Sequence, residues 1–522
     1  MIEQKIYTGD ANEVKANQNI IFNIQSYTLT GRIGSYGTLK IIGTGTINKT
    51  GTNVIANRGN LTIGEEGATT GITVFSYGES YNCLVNEESG TFTINYAKVY
   101  ADEITSHALL VRTGTTVNIN NGVFANKGNG SSANSGIQET IDIKTGATVN
   151  IKGGTITNLA STKNTIGDAG TLNVSGGTIE SKSIDYNAIY VTGEAKISNG
   201  TIKNYSKGRA VLVKGTNSKL TFSGGLITNN GYYPNNEYSN LELRVALEVG
   251  TEATVNMTGG TVENIGLPSN LTVGSNGIAT KDSGQGTAAR VYGTFTMTGG
   301  TITSGASYYI QENVHKPLGT MVISNSAVVT INGGTITNTG KVYNTNKTLK
   351  GTLSPWGYRG ATITIATSTF NMKKGTISGE NYFIYKTSST STALSNIVPI
   401  ATIYFRADSG KGTINGGNVT NTYINGKFGG SAIRIRNTAT LKVQSSTANV
   451  KISSYDNTNS DAHSKRYPTV AITEGGTFTF SATANSSYKA QIISLNSKNA
   501  TGTGYWYYNE GTSKGAKGAK KQ

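Results

Sequence analysis

Cysteine is almost missing from this chain: one residue, Cys83, in 522. An internal disulfide framework is therefore excluded, and in the apolar run YNCLV the thiol reads as a core group. Only 3 histidines occur, His107, His315 and His463, too far apart with a single cysteine to offer zinc-ligand spacing. The calcium-binding Gly-Gly-x-Gly-x-Asp repeat is lacking as well. No metal and no cofactor is expected. No apolar stretch approaches membrane-spanning length, so no transmembrane segment is expected. Helical spacing of apolar residues never occurs. Proline is scarce, 6 against 67 glycines, with hydrophobic residues at 36%, which describes a chain that turns often on glycine rather than a helical or disordered one.

What is present is an eleven-residue phrase that keeps returning. It reads TVNINNGVFAN from Thr116, TVNIKGGTITN from Thr148, TLNVSGGTIES from Thr171, KLTFSGGLITN from Lys219, TVNMTGGTVEN from Thr254, TFTMTGGTITS from Thr294 and VVTINGGTITN from Val328. Weaker copies start at Thr91, Glu194, Thr369 and Lys411, and degenerate ones at Thr440 and Thr477. The closest copies are about 23 to 25 residues apart, a period that signals a solenoid. Within a copy the apolar residues alternate with Thr or Asn, which is the period of a strand. The Gly pair, such as Gly153-Gly154, breaks the alternation where the chain must bend, because glycine accepts positive φ without a Cβ clash. A third apolar run follows before the next copy: ALLV from Ala108, TIDI from Thr140, AIYV from Ala188, AVLV from Ala210, VALEV from Val245 and AIRI from Ala432. Three short strands per coil, each pairing with its equivalent above and below, predict an all-β, single-stranded parallel β-helix, a β-solenoid. Coils about 4.8 Å apart, roughly fifteen of them, would make a rod on the order of 70 Å long. The expected organisation is a capping region over 1–37, the helix with its loop inserts over 38–490, a C-terminal cap over 491–510 and a flexible Lys/Gly/Ala tail over 511–522.

Asn often closes the second strand, as Asn126, Asn158, Asn204, Asn229, Asn264, Asn338 and Asn421. A ligand row is one reading; turn formation and ladder stacking are the better one. The net charge of +16 would suit an anionic partner and salt-dependent binding. Its basic residues are dispersed, however, and only Lys514, Lys517, Lys520 and Lys521 cluster, so solubility and protection of strand edges explain it better. No nucleic-acid module is recognisable, and no nucleic-acid partner is expected.

The distance between copies widens toward the C-terminus, and the extra residues fall between the second and third strands. Stacked at one point of successive coils, these inserts form the expected binding edge. They combine aromatic rings with Asn, Lys and Arg: NGYYPNNEYSN from Asn230, GASYYIQENVHKP from Gly305, TGKVYNTNKTLKGTLSPWGYRG from Thr339, GENYFIYK from Gly379, TYINGKF from Thr422 and SSYDNTNSDAHSKRYP from Ser453. An aromatic face beside amide and basic groups suits a sugar ring, which stacks its C–H face and hydrogen-bonds through its hydroxyls. The binding candidates are Tyr232, Tyr233, Tyr308, Tyr309, Trp356, Tyr358, Arg359, Tyr382, Tyr385 and Lys465. Rings that fold their own loops back onto the rod are the competing reading.

Hydrolysis would need two carboxylates about 5 to 9.5 Å apart. Neighbouring acids occur at Glu65-Glu66, Glu87-Glu88 and Asp102-Glu103, the last followed by His107, and the first two pairs read as solvated corners. The densest polar loop holds Asp461, His463, Lys465, Arg466 and Tyr467. Asp461, His463 and Arg466 could supply a base and a charge-neutralising group for β-elimination, although one loop does not make a converging site.

On the repeated T-x-N-x-x-G-G-T-I-x-N phrase, over about residues 30 to 490, the chain resembles right-handed parallel β-helix proteins of Gram-positive bacterial surfaces, many of them adhesin-like. It is similar, more loosely, to the pectate lyase-like enzymes and to phage tailspikes. The polygalacturonase branch of that superfamily uses Asn-Thr-Asp, Asp-Asp, His-Gly and Arg-Ile-Lys motifs. Only Arg-Ile-Arg at Arg434 to Arg436 comes near, inside a third-strand run, so no catalytic residue is carried across. The resemblance implies an extracellular or cell-surface protein that is not an enzyme and binds a glycan or host ligand. A polysaccharide lyase or hydrolase is the alternative, and a trimeric receptor-binding spike the second alternative.

Overall fold

The computed structural model describes residues 12–77, 81–88, 90–101, 107–126, 138–159, 163–183, 186–204, 208–229, 245–264, 287–304, 319–338, 361–379, 382–383, 401–406, 409–422, 428–429, 431–446, 448–456, 469–472, 475–481, 490–496 and 507–509. Among them there is no helix, and strands pair in parallel over long sheets, which fits a β-solenoid. The chain divides into two units, Met1–Thr228 and Asn229–Gln522.

In the first unit most phrases form a first strand and a second strand around a glycine corner, as Thr148–Ile151 and Thr155–Asn158, whereas Thr171–Ser181 and Glu194–Asn204 run through the corner as single strands with a shift in register. The third apolar run forms a strand of its own, as Ile166–Asp168. Equivalent strands pair in register from coil to coil. Val117 stands opposite Val149, Val149 opposite Leu172, Leu172 opposite Ala195 and Ala195 opposite Leu220. Two residues on, Ile119, Ile151, Val174, Ile197 and Phe222 make a parallel column. Both columns are buried, and the Thr and Asn between them face outward because strand side chains alternate. Each buried Val, Ile or Phe contributes on the order of 1.5–3 kcal/mol, and the columns are continuous, so every coil lends its neighbour part of its core.

The corner uses the second glycine of the pair. Gly154, Gly177, Gly200 and Gly225 have φ of 89°, 84°, 100° and 89°. A Cβ on Gly177 would also lie 2.8 Å from the carbonyl oxygen of Gly154 in the preceding coil. Glycine is required there twice over, by its left-handed backbone and by the approach of the next corner.

The second unit repeats the scheme. Val255, Phe295, Val329 and Phe370 form one inward column, and it continues through Gly412 to Leu441 and Phe478. A Cβ at Gly412 would collide with the Phe405 ring, which comes from the third strand Ala401–Phe405 and fills the space. Strand pairing also enters the stretches expected to cap the stack: Asn12–Val14 pairs with Ile33–Ser35, and Tyr507–Asn509 with Val470–Ile472. The tail 511–522 lies outside the described residues. Cys83 is a buried thiol whose Sγ lies 3.1 Å from the Tyr100 carbonyl oxygen. No helix among the described residues is long and apolar enough to cross a membrane.

Candidate functional site

The long inserts all leave the coil at one point, after the second strand, and return at the start of the third. In the second unit this is the interval from Asn264 to Ala289, from Ser304 to Gly319, from Asn338 to Ala361 and from Asn421 to Ser431. The Asn row guards that point. Asn126 donates its amide to the Gln138 carbonyl at 2.9 Å, and Asn158 to those of Lys163 and Asn164 at 3.0 and 2.9 Å. Asn204 donates to Arg209, Asn229 to Val245, Asn264 to Thr287 and Asn421 to Ser431 in the same way. None of these Asn residues has positive φ. These six Asn are buried pins at the feet of their own inserts, so the structural reading of the row stands for them but its mechanism is amide-to-carbonyl bonding rather than left-handed turns.

A row of buried Thr at the return point adds a second tie. The hydroxyls of Thr140, Thr165, Thr320, Thr362 and Thr402 donate to the carbonyls of Thr157, Glu180, Thr337, Ser378 and Thr420 in the next coil. Sequence reading missed this row, although the Thr of TIDI from Thr140, where other third-strand runs such as ALLV and AIYV have Ala, was its visible sign.

Of the predicted binding residues, Tyr232, Tyr233, Tyr308, Tyr309, Trp356, Tyr358, Arg359, Tyr385 and Lys465 lie outside the described residues, as do Asp461, His463 and Arg466. Tyr382 belongs to the two-residue strand Tyr382–Phe383, which pairs antiparallel with Phe428–Gly429. Backbone of one insert thus pairs with backbone of the insert in the following coil.

The acid pairs divide as their surroundings dictate. Glu65 accepts from Lys40 at 2.5 Å, and Glu87 lies 2.7 Å from Arg58 and 3.6 Å from Arg112. Glu88 is 3.5 Å from the same Arg58, which also bonds the Tyr36 hydroxyl. These carboxylates are held in ion pairs at the surface, and Asp102-Glu103 lies outside the described residues. Arg434, from the Arg-Ile-Arg run, sits in the third strand Ser431–Ile435, is buried, and lies over the Tyr404 ring at 5.3 Å. Glu248 and Arg290, at equivalent third-strand positions, are buried 3.5 Å apart.

Among the described residues, His107 meets groups of the following coil. It stands two residues ahead of the third strand Leu109–Val111, a position held by Asn82 in the coil before and by Glu139 in the coil after. Its ring is 8% exposed, Nδ1 lies 2.8 Å from the Glu139 carbonyl oxygen, and Nε2 lies 3.5 Å from Asp142 Oδ2. Lys144 Nζ approaches the same Oδ2 at 2.6 Å. Ligand atoms of His107, Glu139 and Asp142 all fall within 4.8 Å of one another. Burial holds the His107 imidazole below its ordinary pKa, against the opposing pull of Asp142.

Asp168 is the other perturbed acid. It closes the third strand Ile166–Asp168, pointing inward between Ile143 and Val191, and is 1% exposed. Gly170 N–H donates to Oδ1 at 3.1 Å, while Oδ2 has no partner. Desolvation raises its pKa to about 7. Asn57 and Asn86 hold the equivalent position in earlier coils, where each amide N–H donates to a corner carbonyl, Gly59 or Gly90. Asp168 is therefore an acid at a position that the adjacent coils fill with Ile143 and Val191 and two earlier coils fill with Asn.

Comparison with protein-family models, with curated proteins and with solved structures finds no match for this chain.

Proposed function

We propose that the chain is a right-handed parallel β-helix that serves as a non-catalytic binding scaffold, extracellular or displayed at a cell surface. Its inserts form the recognition edge for a glycan or another host or cell-surface ligand. The observation that carries this reading is the pinned insert foot: buried Asn158, Asn229, Asn264 and Asn421 close the base of inserts of different length at the same corner of their coils. Such a base separates loop length and composition from the ladder beneath, which is what a scaffold for variable recognition loops requires. Pairing of one insert with the next at Tyr382–Phe383 supports a continuous edge rather than separate loops. Right-handedness follows from the general preference of parallel crossovers. The lyase or hydrolase alternative gains nothing from Glu65, Glu87 and Glu88, which are committed to Lys40, Arg58 and Arg112.

The test is retention of the chain on immobilised acidic and neutral polysaccharides at two salt concentrations, with unsaturated and reducing ends measured in the eluate. Retention without product release, surviving the higher salt, is the expected result. Release of either kind of end would replace the scaffold by an enzyme, and absence of retention on every polysaccharide would remove the glycan.

A further inference from the structure

Ligand atoms of His107, Glu139 and Asp142, drawn from two successive coils, all lie within 4.8 Å of one another. The Glu139 carbonyl can only accept, so His107 Nδ1 carries the proton toward it, and Nε2 is turned toward Asp142 Oδ2 at 3.5 Å. That separation is too long for a charge-assisted hydrogen bond, and Lys144 already holds Oδ2 at 2.6 Å. A carbonyl that fixes the far nitrogen of an imidazole is, by contrast, the usual way a metal-binding histidine is oriented.

We infer that His107 Nε2, a carboxylate oxygen of Glu139 and a carboxylate oxygen of Asp142 bind one divalent cation of the zinc or manganese kind, tying together the feet of two successive inserts. One imidazole and two carboxylates suit a borderline cation better than calcium or magnesium, which prefer oxygen alone, and the site offers no thiolate for softer ions. Three protein ligands leave a coordination position for water or for an oxygen of a bound ligand. Lys144 is the built-in competitor: its side chain is 52% exposed and can swing away from Asp142 when the cation arrives.

The whole chain is titrated with Zn2+, Mn2+, Ca2+ and Mg2+ by calorimetry, with thermal melting in parallel. One equivalent of Zn2+ or Mn2+ is expected to bind and to raise Tm, whereas Ca2+ and Mg2+ at the same concentration do neither. His107→Asn places in the row the residue that Asn82 and Asn164 already supply to it, so it keeps the fold and should weaken binding at least tenfold; Asp142→Asn should do the same. Lys144→Ala should strengthen it severalfold, an effect a purely structural His–Asp–Lys cluster would not show. A paired His315→Gln, His463→Gln variant should retain the full equivalent. Binding unchanged in His107→Asn, or no binding up to millimolar cation, would overturn the site and leave an ion-pair cluster only, without touching the scaffold reading.

Discussion

Asp168 shows how one atom changes the behaviour of a position. Asn57 and Asn86 satisfy their corner with an amide; Asp168 can imitate them only when protonated, since only then does Oδ2 carry a hydrogen to donate. Its folded pKa of about 7 lies above the ordinary carboxylate value of 3.8. The folded state therefore holds its proton longer than the unfolded state does. Stability is complete below about pH 4 and falls as pH rises toward 7, by an amount on the order of 4 kcal/mol at most. Asp168→Asn should remove this slope: its Tm should exceed that of the parent protein at pH 8 and match it near pH 4. Equal melting of the two proteins at pH 8 would mean the carboxylate is ionised without penalty. Gly177→Ala belongs to the same scale. It forces a Cβ onto φ of 84° and against the Gly154 carbonyl, and should destabilise by about 1–3 kcal/mol in denaturant unfolding.

At the scale of the element, strand identity was plain in the sequence and coil boundaries were not. Alternation marks the strands and the Gly pair marks the bend wherever the phrase is intact, although Thr171–Ser181 and Val328–Asn338 run through that bend as single strands. The first coils escape because their corners are built otherwise. Gln25, with φ of 51°, turns the chain after Asn19–Asn23, and Gly43 does so after Thr38–Ile42, separated from Gly45 by a threonine. The site was partly legible. Setting HALLV from His107 against ETIDI from Glu139 places His107 over Glu139 and Leu110 over Asp142, so the cluster follows once third strands are aligned. A partner 32 residues away, beyond an insert, does not emerge from local spacing. The pins make a sharper prediction. Asn158→Ala strips two carbonyls of their donor and should cost about 1–3 kcal/mol, with faster amide exchange at Lys163 and Asn164. Doubling the insert between Asn264 and Thr287 should cost only about 0.6 kcal/mol. Adding one residue between Val149 and Asn150 should instead abolish the cooperative transition, because it turns Asn150 inward and Ile151 out.

In the molecule as a whole, a repeating ladder carries the structure, and the proposed recognition edge lies on the inserts. The charge of +16 is spread over the chain, so binding should weaken only modestly between low and physiological salt; a steep loss would make dispersed cations, rather than the inserts, the recognition element. The most direct measurement replaces the segments 230–244, 305–318 and 339–360 by short Gly-Ser turns, then compares polysaccharide retention and thermal melting with the parent chain. The account predicts a melting temperature close to the parent's and loss of retention. Unchanged retention would place binding on the ladder itself, and collapse of melting would show that the inserts hold the fold together.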